Sequence, residues 1–178
     1  MDYEKLAGLS AQAGFTHTGK LSTDAIELKE EVREMCAANS CGVYGKCWSC
    51  PPGCGSLTEL REKISSYKEG ILVQTVGELE DEFDGEGMME TEARHRENLL
   101  RLRKLIMDEY PGALILGAGR CNVCKECTFP DAPCRFPESR LSSMEAYGML
   151  VLEVCQKSGM QYYYGKEKIA YTGCVLID

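Results

Sequence analysis

The chain is poor in histidine, tryptophan and long apolar runs, and each shortage excludes something. Two histidines stand apart at positions 17 and 95, there is one tryptophan, and four residues are phenylalanine. There is no HExxH, no Ser/His/Asp arrangement and no P-loop, so no recognisable substrate motif is present. No segment approaches the roughly 18 consecutive apolar residues of a membrane span. Positive charge is also short: 20 Lys and Arg stand against 28 Asp and Glu, a net charge of −8. Binding to nucleic acid or to an anionic membrane wants basic patches, so neither is expected. An acidic surface does suit docking on a basic partner protein. The start, Met-Asp-Tyr-Glu-Lys, has neither the basic region nor the apolar core of a signal peptide. The expected location is the cytoplasm. Internal repeats and low-complexity segments are missing too.

Cysteine is abundant. There are eleven, an odd number, and nine fall in two blocks, 36–54 and 121–134. A cytoplasmic chain does not use such a set as a disulfide framework. Five of the six prolines, at 51, 52, 130, 133 and 137, lie in or against the same blocks. Proline removes a donor and stiffens the loop, which suits a preformed ligand cage.

The second block reads Cys121-Asn-Val-Cys124-Lys-Glu-Cys127-Thr-Phe-Pro-Asp-Ala-Pro-Cys134-Arg-Phe-Pro137. A CxxCxxC loop can place three thiolates on three corners of one cubane, and ferredoxins open their [4Fe–4S] sites in this way. A zinc knuckle is the alternative, although structural zinc more often takes cysteines in separated pairs. The first block carries Cys36, Cys41, Cys47, Cys50 and Cys54. Five thiols in nineteen residues exceed what one tetrahedral site or one cubane uses. Cys47 and Cys50 alone form a CxxC pair, but a thioredoxin-like motif opens a helix after a strand. Here Pro51-Pro52-Gly53 follows and Gly42 and Gly45 precede, so the block reads as a tight loop. Tyr44 and Trp48 are placed to shield the site, and Lys46 to donate to a sulfur.

Hydrophobic periodicity and capping residues fill in the remainder. They predict helices over 3–13, 25–38, 56–67, 88–109 and 142–157, the third and fifth opened by the capping-box spacings of Ser56 with Glu59 and Ser142 with Glu145. Strands are predicted over 15–21, 71–76, 113–119, 161–164 and 169–177, the last two as a hairpin. Ile71-Leu-Val-Gln-Thr-Val76 has the continuous apolar character of a buried parallel strand. The acidic stretch 77–87 lacks the ligand pattern of an EF-hand loop and reads as a solvated connection. Leu99, Leu102, Leu105 and Ile106 are predicted to face inward, with His95 on the polar face. Cys155 and Cys174 read as buried apolar thiols, Cys174 also as a distant fourth ligand. The prediction is a single α/β domain over 1–178, a mixed sheet flanked by helices, with two cysteine-rich cluster-binding loops at one end.

Cys41-Gly-Val-Tyr-Gly-Lys-Cys-Trp-Ser-Cys50-Pro-Pro resembles the CPP motif of the DUF2284 family of predicted metal-binding proteins. So do Cys121-x-x-Cys124-x-x-Cys127, Pro133-Cys134-Arg-Phe-Pro-Glu138 and Ser143-Met-Glu-Ala-Tyr-Gly148. The resemblance covers roughly residues 20–178. It implies cysteine-bound metal, iron–sulfur above all, in a family found mainly in anaerobic bacteria and archaea. It also implies a core ligand set of Cys36, Cys41, Cys50, Cys121, Cys124, Cys127 and Cys134, with Cys47 and Cys54 more variable.

Eight cysteines would hold two cubanes. The simplest partition gives Cys121, Cys124, Cys127 and Cys134 to one cluster, and Cys36, Cys41 and Cys50 with Cys54 or Cys47 to the other. In a crossed partition, Cys134 serves the first block and Cys47, Cys54 or Cys174 completes the second, as two-cluster ferredoxins exchange fourth ligands. The leading expectation is an electron-transfer protein with two [4Fe–4S] clusters, working with a redox partner protein of an anaerobic cell. The alternatives are an iron–sulfur enzyme or reductive activator with a cluster at a substrate site, and a zinc-binding structural or interaction module. Arg120, Lys125 and Arg135 flank the second block, where their charge would raise its potential.

Overall fold

Ile71, Leu72 and Val73 are wholly buried although successive side chains of a strand point to opposite faces. A strand like this has protein on both sides. The computed structural model describes residues 1–178. In chain order it runs α1 (Tyr3–Ala13), β1 (His17–Ser22), a 3₁₀ turn (Thr23–Ala25), α2 (Glu30–Ala37) and α3 (Leu57–Ser65). Then follow β2 (Glu69–Glu78), α4 (Gly85–Ile106), β3 (Leu114–Gly117), β4 (Ser142–Ser143), a second 3₁₀ turn (Glu145–Tyr147), α5 (Val151–Lys157) and β5 (Lys168–Ile177).

The strands lie in the order β1-β2-β5-β3-β4. Only the β3–β4 pair is parallel; the other three pairs are antiparallel. This is the mixed sheet of an α/β fold, with one correction. β2 was predicted to be of the parallel kind, yet both of its neighbours run antiparallel to it. An unbroken apolar run reports burial on both faces, and here antiparallel strands achieve that.

Each face has its own core. Ile71, Val73, Val175 and Ile177 meet Leu6 of α1 and Leu99, Leu102 and Ile106 of α4. Leu72, Cys174 and Leu176 meet Leu60 and Ile64 of α3 and Val154 and Cys155 of α5 on the other side. Each such aliphatic side chain contributes about 1.5–3 kcal/mol through burial.

Tertiary pairing shortens two predicted helices. The helix predicted over 25–38 begins only at Glu30. Ahead of it, Leu28 forms an isolated bridge with Met149, and the Lys29 N–H donates to Gly148 O at 2.8 Å. The helix predicted over 142–157 begins only at Val151. Ser142 and Ser143 pair with Leu116 and Gly117 instead, and Gly148 reverses the chain at φ 88°. The 161–164 segment forms no strand, so the predicted terminal hairpin is absent and β5 pairs with β2 and β3. By contrast, α3 carries the full capping box of Ser56 and Glu59 that its sequence suggested. Leu105 points outward and His95 inward, the reverse of the predicted helix faces. No helix is long and apolar enough to cross a membrane.

Beyond Gly117, at one end of the sheet, the loop 38–55, the loop 118–141 and the 3₁₀ turn at Glu145 converge. All nine clustered cysteines are there.

Candidate metal centre

The first cysteine loop is held by its own backbone and by one arginine. α2 delivers Cys36 in its last turn, with Sγ 4.0 Å from Glu145 O. Arg33, one turn earlier, donates to Ala146 O at 3.1 Å and to Gly55 O at 3.0 Å. That ties α2 to both the end of the loop and the 3₁₀ turn. Asn39 adopts a left-handed φ of 56°, and its side-chain oxygen accepts from the Tyr44 N–H at 2.9 Å. The Gly45 N–H donates to Pro51 O at 2.8 Å, and the Cys54 N–H to Cys50 O at 3.0 Å. Lys46, predicted to donate to sulfur, instead donates to Gly42 O at 2.9 Å.

Cys36, Cys41 and Cys50 line a cavity of about 440 Å³ together with Tyr44, Glu92, Arg120 and Glu145. Cys54 is not on this wall: its Sγ lies 3.4 Å from Ala146 O, and it packs against the apolar core under α3. Burial pushes the Cys36 and Cys54 thiols up, with the Arg33 guanidinium opposing. Cys47 and Cys50 share a hydrogen bond that draws Cys47 down and pushes Cys50 up, as when one proton serves two sulfurs.

The second loop is braced in the same manner. Thr128 Oγ1 donates to Pro133 O at 2.8 Å, the Ala132 N–H to Thr128 O at 2.9 Å, and Arg135 to Glu126 O at 2.9 Å. Arg135, predicted to tune the cluster by its charge, also braces the loop. Cys121, Cys124, Cys127 and Cys134 line one cavity, and Cys47 from the first loop joins them there. Arg120 and Lys125 border the adjoining cleft.

Trp48 joins the two loops. Its indole N–H donates to Ala132 O at 3.0 Å, and its ring meets Phe129 edge-on at 4.9 Å. Gly53 lets Phe129 approach, because a Cβ there would stand 2.9 Å from the ring. Buried Ser49 lies 3.4 Å from Cys47 Sγ and 3.8 Å from Cys50 Sγ. The two cavities are therefore separated by little more than the segment Cys47–Cys50.

The donor set is soft thiolate throughout, which suits zinc, copper(I) or iron–sulfur clusters. No three His, Cys, Asp or Glu side chains converge on a point where one ion would sit. The sulfurs line cavity walls instead. Cys174 is wholly buried in the core, where desolvation pushes its thiol up to about 12. Cys155 is likewise buried under the sheet.

Four residues at this end were not legible as site residues: Glu92 and Arg96 of α4, Arg140, and Glu145. Arg96 donates toward Cys121 Sγ at 4.0 Å and to Ser139 O at 3.0 Å. α4 reaches the site from about 25 residues upstream of Cys121, so no motif announces it. Glu145 had been read as the end of a capping box.

No curated protein and no solved structure matches the chain. The model of one family, predicted metal-binding proteins of the DUF2284 group, matches residues 19–177, and the chain belongs to that family.

Proposed function

We propose that this protein holds two [4Fe–4S] clusters and passes electrons to or from a redox enzyme in the cytoplasm of an anaerobic cell. The observation that carries this is the pair of thiol-lined spaces set side by side across Cys47–Cys50, the second a narrow cavity of about 20 Å³ that adjoins a cleft of about 410 Å³ also lined by Cys47, Cys121, Cys124 and Cys127. Cys121, Cys124, Cys127 and Cys134 would hold one cluster; Cys36, Cys41 and Cys50 would anchor the other. Bound clusters supply one-electron carriers whose potential follows hydrogen bonding to sulfur and solvent exposure. The chain's residues do the remainder. Arg33 and Trp48 fix the two loops, Trp48 lines the second cavity and packs on Phe129 of the adjoining cleft, and Arg96 places positive charge at Cys121. The CxxCxxC run among these sulfurs supports a cluster over a single zinc ion, which more often takes cysteines in separated pairs. The net charge of −8 supports a basic partner.

The test is iron, zinc and acid-labile sulfide per chain on protein purified without oxygen, with EPR before and after dithionite. About eight iron and eight sulfide, with an interacting reduced signal, are expected for two neighbouring cubanes. Zinc without sulfide would overturn the proposal and leave a structural module that a chelator unfolds.

A further inference from the structure

The first cavity offers three thiols where a fully cysteine-ligated cubane needs four. Cys36, Cys41 and Cys50 stand on its wall. Of the two remaining cysteines of that loop, Cys47 lines the second cavity, and Cys54 stands behind the first cavity's wall, packed on the core with its Sγ 3.4 Å from the backbone oxygen of the lining residue Ala146. The polar groups on the rest of the wall are not thiols but Glu92, Glu145 and Arg120. At about 440 Å³ the space also falls in the range of small-molecule sites. The second cavity differs in both respects, with five cysteines and no carboxylate on its wall.

Resting on the two-cluster reading above, we propose that the first cluster is held by Cys36, Cys41 and Cys50 alone. Its fourth corner then faces a binding site for a compact molecule with an oxygen or nitrogen lone pair. Even with the positive charge of the iron–sulfur core counted beside Arg120, two carboxylates and three thiolates leave the wall net negative and disfavour an anion, so the ligand class is uncharged or cationic. The second cluster, with cysteine to spare, is the electron carrier that serves this site. The chain is then a ligand-binding iron–sulfur protein as well as a conduit.

The test uses the full chain loaded without oxygen, with imidazole at mildly alkaline pH as the probe. Cys54→Ala is expected to keep wild-type iron and sulfide. Brief treatment of the wild type with ferricyanide should take one electron from one of its two clusters and release one ferrous ion, leaving a three-iron form that dithionite and ferrous ion together restore to the cubane. Imidazole should change the EPR spectrum of one reduced cluster only, and Glu145→Gln should weaken that effect several-fold. Loss of about half the iron in Cys54→Ala, or resistance of both wild-type clusters to oxidation and to imidazole, overturns the three-thiolate site. Two clusters would still be present in that case, so the electron-transfer proposal would stand. A wild type without iron would overturn both. The oxidation and imidazole measurements need no variant and do not depend on how a substitution folds.

Discussion

Arg96, in the middle of α4, points its guanidinium at the Sγ of Cys121, 4.0 Å away, while the same nitrogen holds Ser139 O at 3.0 Å. A residue of a core helix thereby places a permanent positive charge on the second cysteine loop. Reduction adds negative charge to a cluster, and a nearby cation stabilises that state. Arg96→Met should keep both clusters and lower the potential of the second, read by redox titration followed by EPR. Arg96→Lys keeps the charge without the fork and should fall between the two. Equal potentials in all three proteins would show that Arg96 only braces Ser139.

That contact marks the boundary of what the sequence could tell. Local chemistry was legible because it is local: the CxxCxxC spacing, the prolines of both loops, and the capping box of Ser56 with Glu59. The apolar run at 71–76 announced a strand but not its direction, since burial on both faces is all that such a run encodes. Ser142 to Glu145 carries helix-start chemistry, yet Ser142 and Ser143 pair with β3, a partner more than 20 residues away. His95 sits among Arg94, Arg96 and Glu97 in the sequence, but the twist of α4 turns it to Thr75 and Phe15 inside. Long-range placement decided each of these, and with it the presence of Glu92, Arg96 and Glu145 at the metal end.

Cys124 occupies the centre of the CxxCxxC run and lines the second cavity. Serine is a poor substitute for a soft thiolate. Cys124→Ser should therefore lose one cluster, about half the iron, and part of the thermal stability together, because metal binding at a loop site contributes to folding. Iron analysis and a melting curve on protein prepared without oxygen check this. Full iron with unchanged spectra would reject the ligand assignment.

Trp48 is the side chain by which the first loop covers the second. Removing it takes away the bond to Ala132 O and the edge contact with Phe129. Trp48→Ala should lose about 1–3 kcal/mol and open the second cavity to water and oxygen. Trp48→Phe keeps the aromatic contact but not the bond. The rate at which visible absorbance fades in air should rise from wild type through Trp48→Phe to Trp48→Ala. Identical rates in the three proteins would mean that the indole does not guard the site.

His95 gives the fold a pH dependence that does not involve the cysteine loops. It is 1 % exposed, Nδ1 lies 3.1 Å from Thr75 Oγ1, and Nε2 has no hydrogen-bond partner. Burial lowers its pKa from 6.5 to about 3, so the folded chain keeps it neutral. The unfolded chain takes up that proton below about pH 6.5, and stability must then fall as pH drops toward 3, by up to about 1.4 kcal/mol per unit. Between about pH 7 and 5.5 the loss from this one group is roughly 1 kcal/mol. His95→Leu removes the group and leaves Thr75 with its other partner, Asn98, at 3.2 Å. Carboxylates and any bound metal titrate alike in the two proteins, so the difference between their unfolding free energies isolates His95. That difference should move in favour of the leucine variant by about 1 kcal/mol over this range. A difference that stays constant would mean that His95 is protonated at the same pH in folded and unfolded chains.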